Sequence, residues 1–185
     1  MQNVSKRPDI RIKVILVGDA GVGKTALAMS YLHRIFSPIY LQTIGVEFYP
    51  KLINMDNRLV EFMIWDTAGQ ERFGFLMPMY YKGAKAALLV YDITRKETFI
   101  NIETWLEKIR KYSGDIPIIL AGNKTDLEDF RLVNEDEGAD LAQKNKLLFM
   151  ETSAKTGKNV GEVFHRLFRS AYDYVLDTLR VLRGE

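Results

Sequence analysis

One short glycine-rich segment limits what this chain can fold into more than any other feature. Residues 18–25 read G-D-A-G-V-G-K-T, which matches the phosphate-loop pattern G-x-x-x-x-G-K-[ST]. Residues 10–17 before it alternate and then become wholly apolar, as in a strand that enters a sheet. Residues 24–35 after it are rich in Ala, Leu and Met, which favour a helix. The sequence therefore predicts a strand, a phosphate-binding turn and a helix, an order that a chance glycine-rich turn would rarely have.

A phosphate loop binds a polyphosphate mainly through its backbone. Its glycines let N–H groups curl around the phosphates, and the helix start adds positive potential. Lys24 is predicted to contact the β and γ phosphates, and the Thr25 hydroxyl is predicted to ligate Mg²⁺. The residues predicted to bind the phosphates are Ala20, Gly21, Val22, Gly23, Lys24, Thr25 and Ala26.

A hairpin is predicted after the first helix. Residues 46–55 and 58–66 alternate, and Asp56 and Asn57 between them tolerate the positive φ angles of a tight turn. Because Pro50 cannot donate to a sheet ladder, its strand is expected at an edge.

Strand candidates at residues 86–92, 116–122 and 147–152 alternate with helical patterns. Parallel neighbours need crossover connections, which place helices on both faces of a sheet. The predicted fold is an α/β P-loop NTPase fold, with a six-stranded, mostly parallel sheet and one antiparallel edge strand. Two helix starts carry a capping-box signature, Asn134 with Glu137 and Asn159 with Glu162.

Length and composition narrow the class further. At 185 residues the chain is expected to form one domain, residues 1–185. A net charge of +2 gives no basis for nucleic-acid binding. The chain has no cysteine, which removes disulfides, thiolate metal sites and cysteine-borne lipid anchors. With no apolar run of about 18 residues, we expect a soluble, cytoplasmic monomer.

Two further motifs concern the base of the nucleotide. Asn123, Lys124 and Asp126 form an N-K-x-D motif after one predicted strand, and a carboxylate there can accept both guanine N1–H and the 2-amino group. Residues 153–155 follow the last strand and could offer a backbone N–H to the guanine oxygen. N-K-x-D alone is a common solvated turn, but two such motifs at consecutive strand ends favour guanine. The second motif consists of Ser153, Ala154 and Lys155.

Taken together, these motifs resemble those of the Ras-like small GTPases over nearly the whole chain. The resemblance rests on the phosphate loop, T-I-G at 43–45, W-D-T-A-G-Q-E at 65–71, N-K-T-D at 123–126 and S-A-K at 153–155. The segments 44–48, 64–73, 80–84 and 89–94 are similar to those of the Rab branch. A Rab-like protein is expected to act as a molecular switch, plausibly in membrane or vesicle trafficking.

The resemblance implies a role for several further residues. Thr43 is similar to the switch I threonine that joins Thr25 on Mg²⁺, and Asp66 resembles the acid that holds the metal, usually through water. Gly69 would donate its N–H to the γ-phosphate, and Gln70 would orient the attacking water. Phe36 stands where the family places an aromatic against guanine, with hydrophobic packing as the alternative. The implied catalytic residues are Gln70, Lys24 and Thr43.

The same resemblance implies protein partners. Two loops, residues 37–46 and 69–80, would be held only while the γ-phosphate and Mg²⁺ are bound, so that effectors distinguish the two states. Phe48, Trp65 and Tyr80 match the aromatic triad that Rab-like proteins expose to effectors, with a role as core aromatics as the alternative. An exchange factor and a GTPase-activating protein are expected as partners. No arginine finger is recognised, and although Arg72 could be proposed, in similar proteins that position belongs to the second switch, so an activating protein would supply the arginine.

The chain departs from the family at its C-terminus. Rab-like proteins typically carry prenylated cysteines on a flexible tail, and this sequence has none. Either the tail was removed or the protein never anchors itself, so membrane association is expected only through a missing tail or a partner. Two other functions stay open at this point: a guanine-nucleotide-binding scaffold with negligible turnover, and an ATP-using P-loop kinase or motor, against which Asn123 and Asp126 argue.

Overall fold

The computed structural model describes residues 7–37, 45–67 and 77–184. Its six strands and six α-helices alternate for most of the chain. The strands are β1 (Ile10–Val17), β2 (Val46–Met55), β3 (Arg58–Thr67), β4 (Ala86–Asp92), β5 (Ile118–Asn123) and β6 (Leu148–Glu151). The helices are α1 (Lys24–His33), α2 (Met77–Tyr81), α3 (Lys96–Ile100), α4 (Ile102–Ser113), α5 (Glu135–Asn145) and α6 (Val160–Arg183), and a 3₁₀ helix covers Thr125–Phe130.

The strands form one sheet in the order β2-β3-β1-β4-β5-β6. Only β2 and β3 are antiparallel, and they are joined by Asp56 and Asn57 with φ of 49° and 62°. β2 lies at the edge, as Pro50 predicted. The predicted fold class, a six-stranded mostly parallel sheet with one antiparallel edge strand, is confirmed.

Helices cover both faces of the sheet. α1 and α6 pack on one face, where Leu27, Phe164 and Phe168 are buried. α4 and α5 pack on the other, where Ile102, Trp105 and their neighbours at helical spacing are buried. Every residue of β4 is buried, because this central strand has helices above and below it.

Some predicted boundaries and one predicted cap were wrong. The capping box at Asn134 and Glu137 is present, but Asn159 makes no side-chain cap. Asn159 instead has a left-handed φ of 57°, and its amide donates a 2.8 Å bond to the carbonyl of Glu151. β5 begins at residue 118 rather than 116, directly after Pro117. α1 ends at residue 33 rather than 35, because Arg34 turns left-handed with φ of 54°.

Candidate nucleotide-binding site

The carboxyl ends of the parallel strands bring the predicted site residues to one edge of the sheet. The glycine-rich loop joins β1 to α1, with Gly23 immediately before the helix at φ 99°. A Cβ atom on Gly23 would lie 2.3 Å from Nδ2 of Asn123, so only glycine fits between the two loops. Open α/β sheets bind their ligands in this crevice.

Lys24 opens α1 and is buried, with 6% of its surface exposed. Its Nζ donates 2.8 Å bonds to the carbonyl oxygens of Gly18 and Asp19, so the side chain folds back over its own loop. Burial lowers the pKa of Lys24 to about 8, although the nearby carboxylates of Asp66 and Asp19 oppose this shift. Of the other predicted phosphate-binding residues, Val22 is buried and Ala20, Gly21, Thr25 and Ala26 are partly exposed.

Thr25 and Asp66 come together from α1 and β3. Oγ1 of Thr25 donates a 2.5 Å bond to Oδ2 of Asp66, which is completely buried. Among the described residues, Oδ1 of Asp66 has no hydrogen-bond partner. Burial raises the pKa of Asp66 to about 6, against the opposing effects of the Thr25 hydrogen bond and the Lys24 charge.

These two side chains suit a magnesium ion. Mg²⁺ prefers oxygen ligands and is commonly bound by one or two carboxylates together with substrate phosphates. A buried carboxylate oxygen without a partner costs free energy unless a cation or water satisfies it. The Thr25 hydroxyl and the Asp66 carboxylate therefore fit the ion predicted from the sequence.

Asn123 ties the base-side loop to the phosphate loop. Its Nδ2 donates a 2.9 Å bond to the carbonyl of Val22, and all of the side chain is buried. Its Oδ1 accepts bonds from the Thr152 hydroxyl at 3.1 Å and from the N–H of Ala154 at 3.3 Å. The Asn123 side chain thus links the loops that follow β1, β5 and β6.

The other base-side residues are also near one another. Ser153 donates a 2.6 Å bond to Oδ1 of Asp126, and Nζ of Lys155 lies 3.8 Å from its Oδ2. Lys124 has a left-handed φ of 74°, and its Nζ lies 2.5 Å from Oδ2 of Asp92. Burial raises the pKa of Asp92, but the bonds from Lys124 and Thr94 outweigh it and keep that pKa below its usual range.

A cavity of about 460 Å³ opens beside this cluster. Phe36 lines it from the segment after α1, and Ala154 and Lys155 line it from the loop after β6. Phe36 is 38% exposed, so it is not a core residue. Phe36, which the resemblance places against guanine, thus lies near Ala154 and Lys155 of the second base-side motif.

Three predicted site residues, Thr43, Gly69 and Gln70, lie outside the described residues, as does Arg72. Their implied roles stay predictions.

The three aromatic residues of the predicted effector surface differ in exposure. Phe48 is 52% exposed, whereas Trp65 and Tyr80 are partly buried against the core. Phe48 meets Trp65 edge to face, with ring centroids 4.5 Å apart. Nζ of Lys13 lies 3.3 Å from the centre of the Trp65 ring, and burial lowers the pKa of Lys13 to about 8. The exposure of Phe48 contradicts the alternative that all three aromatic residues belong to the core, whereas the partial burial of Trp65 and Tyr80 does not.

Sequence reasoning missed several polar contacts around the site. No motif assigns Arg95, Asn101 or the indole N–H of Trp105 to the site, and Asp92 stands only within the segment 89–94 that is similar to the Rab branch. Trp105 is buried, but its Nε1 also donates a 2.7 Å bond to Oδ1 of Asp19. The acidic Asp19 inside a phosphate loop is the available signal, since a partly buried carboxylate there is stabilised by hydrogen-bond donors.

The fold and the loop geometry define a P-loop nucleotide-binding protein. The chain matches the model of the Ras family over residues 13–173, and it belongs to that family. Ras-family proteins bind guanine nucleotides and act as small GTPase switches that work with regulators and effectors. Within the described residues, no helix has both the length and the apolar character needed to cross a membrane.

Proposed function

We propose that this protein is a Rab-type switch that binds GTP or GDP with Mg²⁺ and slowly hydrolyses GTP. The observation that supports the proposal most is the bond from Asn123 to the Val22 carbonyl, because it holds the loop after β5 beside the glycine-rich loop. A polyphosphate and a purine could then be bound by one continuous site. We further propose that residues 1–185 act as one domain, which the single sheet supports.

In this proposal the phosphate loop binds through its backbone and through Lys24. The amine is charged at neutral pH, and a polyphosphate would replace the two carbonyl oxygens that it now contacts. Asp126 accepts hydrogen bonds from guanine N1–H and the 2-amino group, while Phe36 and Lys124 contact the ring. The Ser153 hydroxyl orients the Asp126 carboxylate by donating to Oδ1, and each carboxylate oxygen has a further lone pair that can accept one of the two guanine donors.

Thr25, Asp66 and Thr43 are proposed to hold the metal ion. Mg²⁺, when bound, neutralises charge on the phosphates. Lys24 adds a second positive charge on the same side, and Gln70 is proposed to orient the attacking water. The turnover should be slow, because phosphoryl transfer depends on positioning and charge stabilisation, and a partner's arginine commonly completes such sites.

Identifying the resident nucleotide and measuring its hydrolysis test this proposal. Denaturing the purified protein should release GDP or GTP, as identified by chromatography; adenine nucleotide or none would contradict guanine binding. Under single-turnover conditions, Gln70→Leu should slow GTP loss well below the wild-type rate. Equal, negligible loss in both proteins would favour a non-hydrolysing scaffold instead.

The Rab-type assignment concerns the effector surface. Phe48, Trp65 and Tyr80 are proposed to contact effectors in the GTP state, plausibly in vesicle trafficking. The half-exposed Phe48 against Trp65 supports this, since large exposed aromatic groups often mark interaction sites. Hydrogen exchange in residues 45–67 should differ between the GDP-bound protein and the protein bound to a non-hydrolysable GTP analogue. Identical exchange would count against the switch surface.

A further inference from the structure

Three hydrogen bonds join residues 95–105 to the phosphate loop. Nε1 of Trp105 and Nδ2 of Asn101 donate to the two carboxylate oxygens of Asp19, at 2.7 and 2.8 Å. Nη2 of Arg95 donates to the carbonyl of Ala20 at 2.9 Å. All three donors come from residues 95–105, where α3 and α4 begin. We name Arg95, Asn101 and Trp105 the loop clamp.

We propose that the loop clamp consists of positioning residues that hold the phosphate loop in its phosphate-binding shape. This inference rests on the proposed function, because it concerns how tightly the phosphates of the same nucleotide are bound. Its residues donate to the outer side of the loop and do not use the backbone N–H groups that a phosphate needs.

Trp105 is the most rigidly packed residue of the loop clamp. Its ring is 5% exposed and belongs to the core between α4 and the sheet, so packing sets the direction of its N–H. Hydrogen bonds to an ionised carboxylate are roughly twice as strong as neutral ones. With both oxygens of Asp19 engaged, its side chain is anchored to α4 while its carbonyl accepts the bond from Lys24.

Arg95 acts on the next peptide group. The carbonyl of Ala20 and the N–H of Gly21 belong to one planar peptide and point in opposite directions when it is trans. The chain has no cis peptide among its described residues. By fixing the carbonyl, Arg95 therefore turns the Gly21 N–H away from itself and restricts the loop to one orientation.

The position of Arg95 is itself determined by a buried carboxylate. Its Nε lies 3.2 Å from Oδ2 of Asp92, which is 1% exposed and also pairs with Lys124 of the base-side loop. The clamp is thus continuous with the part of the site that faces the base. Converging N–H groups repel one another when no anion is present, so an external restraint of this kind favours the binding-competent loop.

The test compares a ligand that has phosphates with one that lacks them. GDP affinity in the presence of Mg²⁺ is measured by calorimetry and guanosine affinity by NMR titration, for wild type, Arg95→Gln and Trp105→Phe. The matched control is Arg110→Gln, whose guanidinium also donates to a carbonyl, that of Asn145 at 3.4 Å, but on α4 away from the loop.

The clamp variants should lose about tenfold or more in GDP affinity while guanosine affinity changes less than about threefold. Their bonds to Ala20 and Asp19 shape the phosphate loop, whereas Asp92 keeps its ion pair with Lys124 on the base side when Arg95 is replaced. Arg110→Gln should match wild type with both ligands. Unchanged GDP affinity, or equal losses for GDP and guanosine, would overturn the clamp. If Trp105→Phe does not fold, the part-exposed Arg95 carries the test alone. Failure of wild type to bind GDP would instead refute the proposed function.

Discussion

The hydroxyl of Thr25 donates a 2.5 Å bond to Oδ2 of Asp66 and leaves Oδ1, within residues 7–37, 45–67 and 77–184, without a partner. This joins the start of α1 to β3 at the point where the metal is proposed to bind. A completely buried carboxylate is unfavourable when charged, and its pKa of about 6 expresses that cost. The charged Asp66 carboxylate therefore destabilises the folded protein unless a cation neutralises it.

Removing this charge should stabilise the protein without its nucleotide and metal. The Asp66 pKa is raised from about 3.8 to about 6, so between these values the folded state binds more protons than the unfolded state, and the free energy of unfolding falls as pH rises. We expect Asp66→Asn to remove this pH dependence. At pH 7.5 it should gain at most roughly 3 kcal/mol, which corresponds to that pKa difference.

Urea denaturation in EDTA at pH 4.5, 6 and 7.5 measures both effects. Millimolar Mg²⁺ with GDP should then stabilise wild type far more than Asp66→Asn. A variant less stable than wild type at pH 7.5 in EDTA, or one equally stabilised by Mg²⁺, would show that Asp66 is not a strained metal ligand.

Asn123 should matter for stability as well as for binding. Asn123→Ala removes the bonds to Val22, Thr152 and Ala154 and leaves buried polar groups unsatisfied. We expect a loss of about 2–4 kcal/mol in the free energy of unfolding. Thr152→Val removes only one of the three bonds and should cost less than half as much. Equal losses in the two nucleotide-free variants would argue against Asn123 as the link between loops.

Gly23 should tolerate no side chain. Gly23→Ala must place a Cβ atom 2.3 Å from Nδ2 of Asn123 at φ 99°, so we expect a loss of about 1–3 kcal/mol and much weaker GDP binding. Gly161→Ala is the matched control, because its Cβ meets no atom within 4 Å and it lies in α6. The control should stabilise the helix by up to about 1 kcal/mol. Thermal melting and calorimetry of both variants decide the matter, and normal GDP binding by Gly23→Ala would refute the close fit.

Much of the fold follows from local patterns in the sequence. Pro50 indicated the edge strand because proline has no N–H to donate to a neighbouring strand. The glycine-rich loop indicated the first strand and helix because its motif occurs between these two elements. The predicted side-chain cap at Asn159 was wrong. The fold brings the Glu151 carbonyl near, and this carbonyl binds the Asn159 amide in competition with capping. A capping pattern cannot show such a competitor.

The candidate site could be predicted only where a motif carries it. Lys24, Thr25, Asn123 and Asp126 stand in short patterns whose spacing encodes their role. Asp92 and Arg95 act through contacts across 30 or more residues, and such pairs leave no spacing to recognise. The orientation of Trp105 depends likewise on how α4 packs, so no sequence pattern predicts its bond to Asp19.

The most direct test of the whole account is nucleotide selectivity measured with wild type and Asp126→Ala. Calorimetry with GDP and ADP, each with Mg²⁺, gives the ratio of their dissociation constants. We expect wild type to prefer GDP strongly and Asp126→Ala to lose most of that preference, because the lost carboxylate is the proposed acceptor for N1–H and the 2-amino group. Equal binding of ADP and GDP by wild type, or an unchanged ratio in Asp126→Ala, would contradict the account.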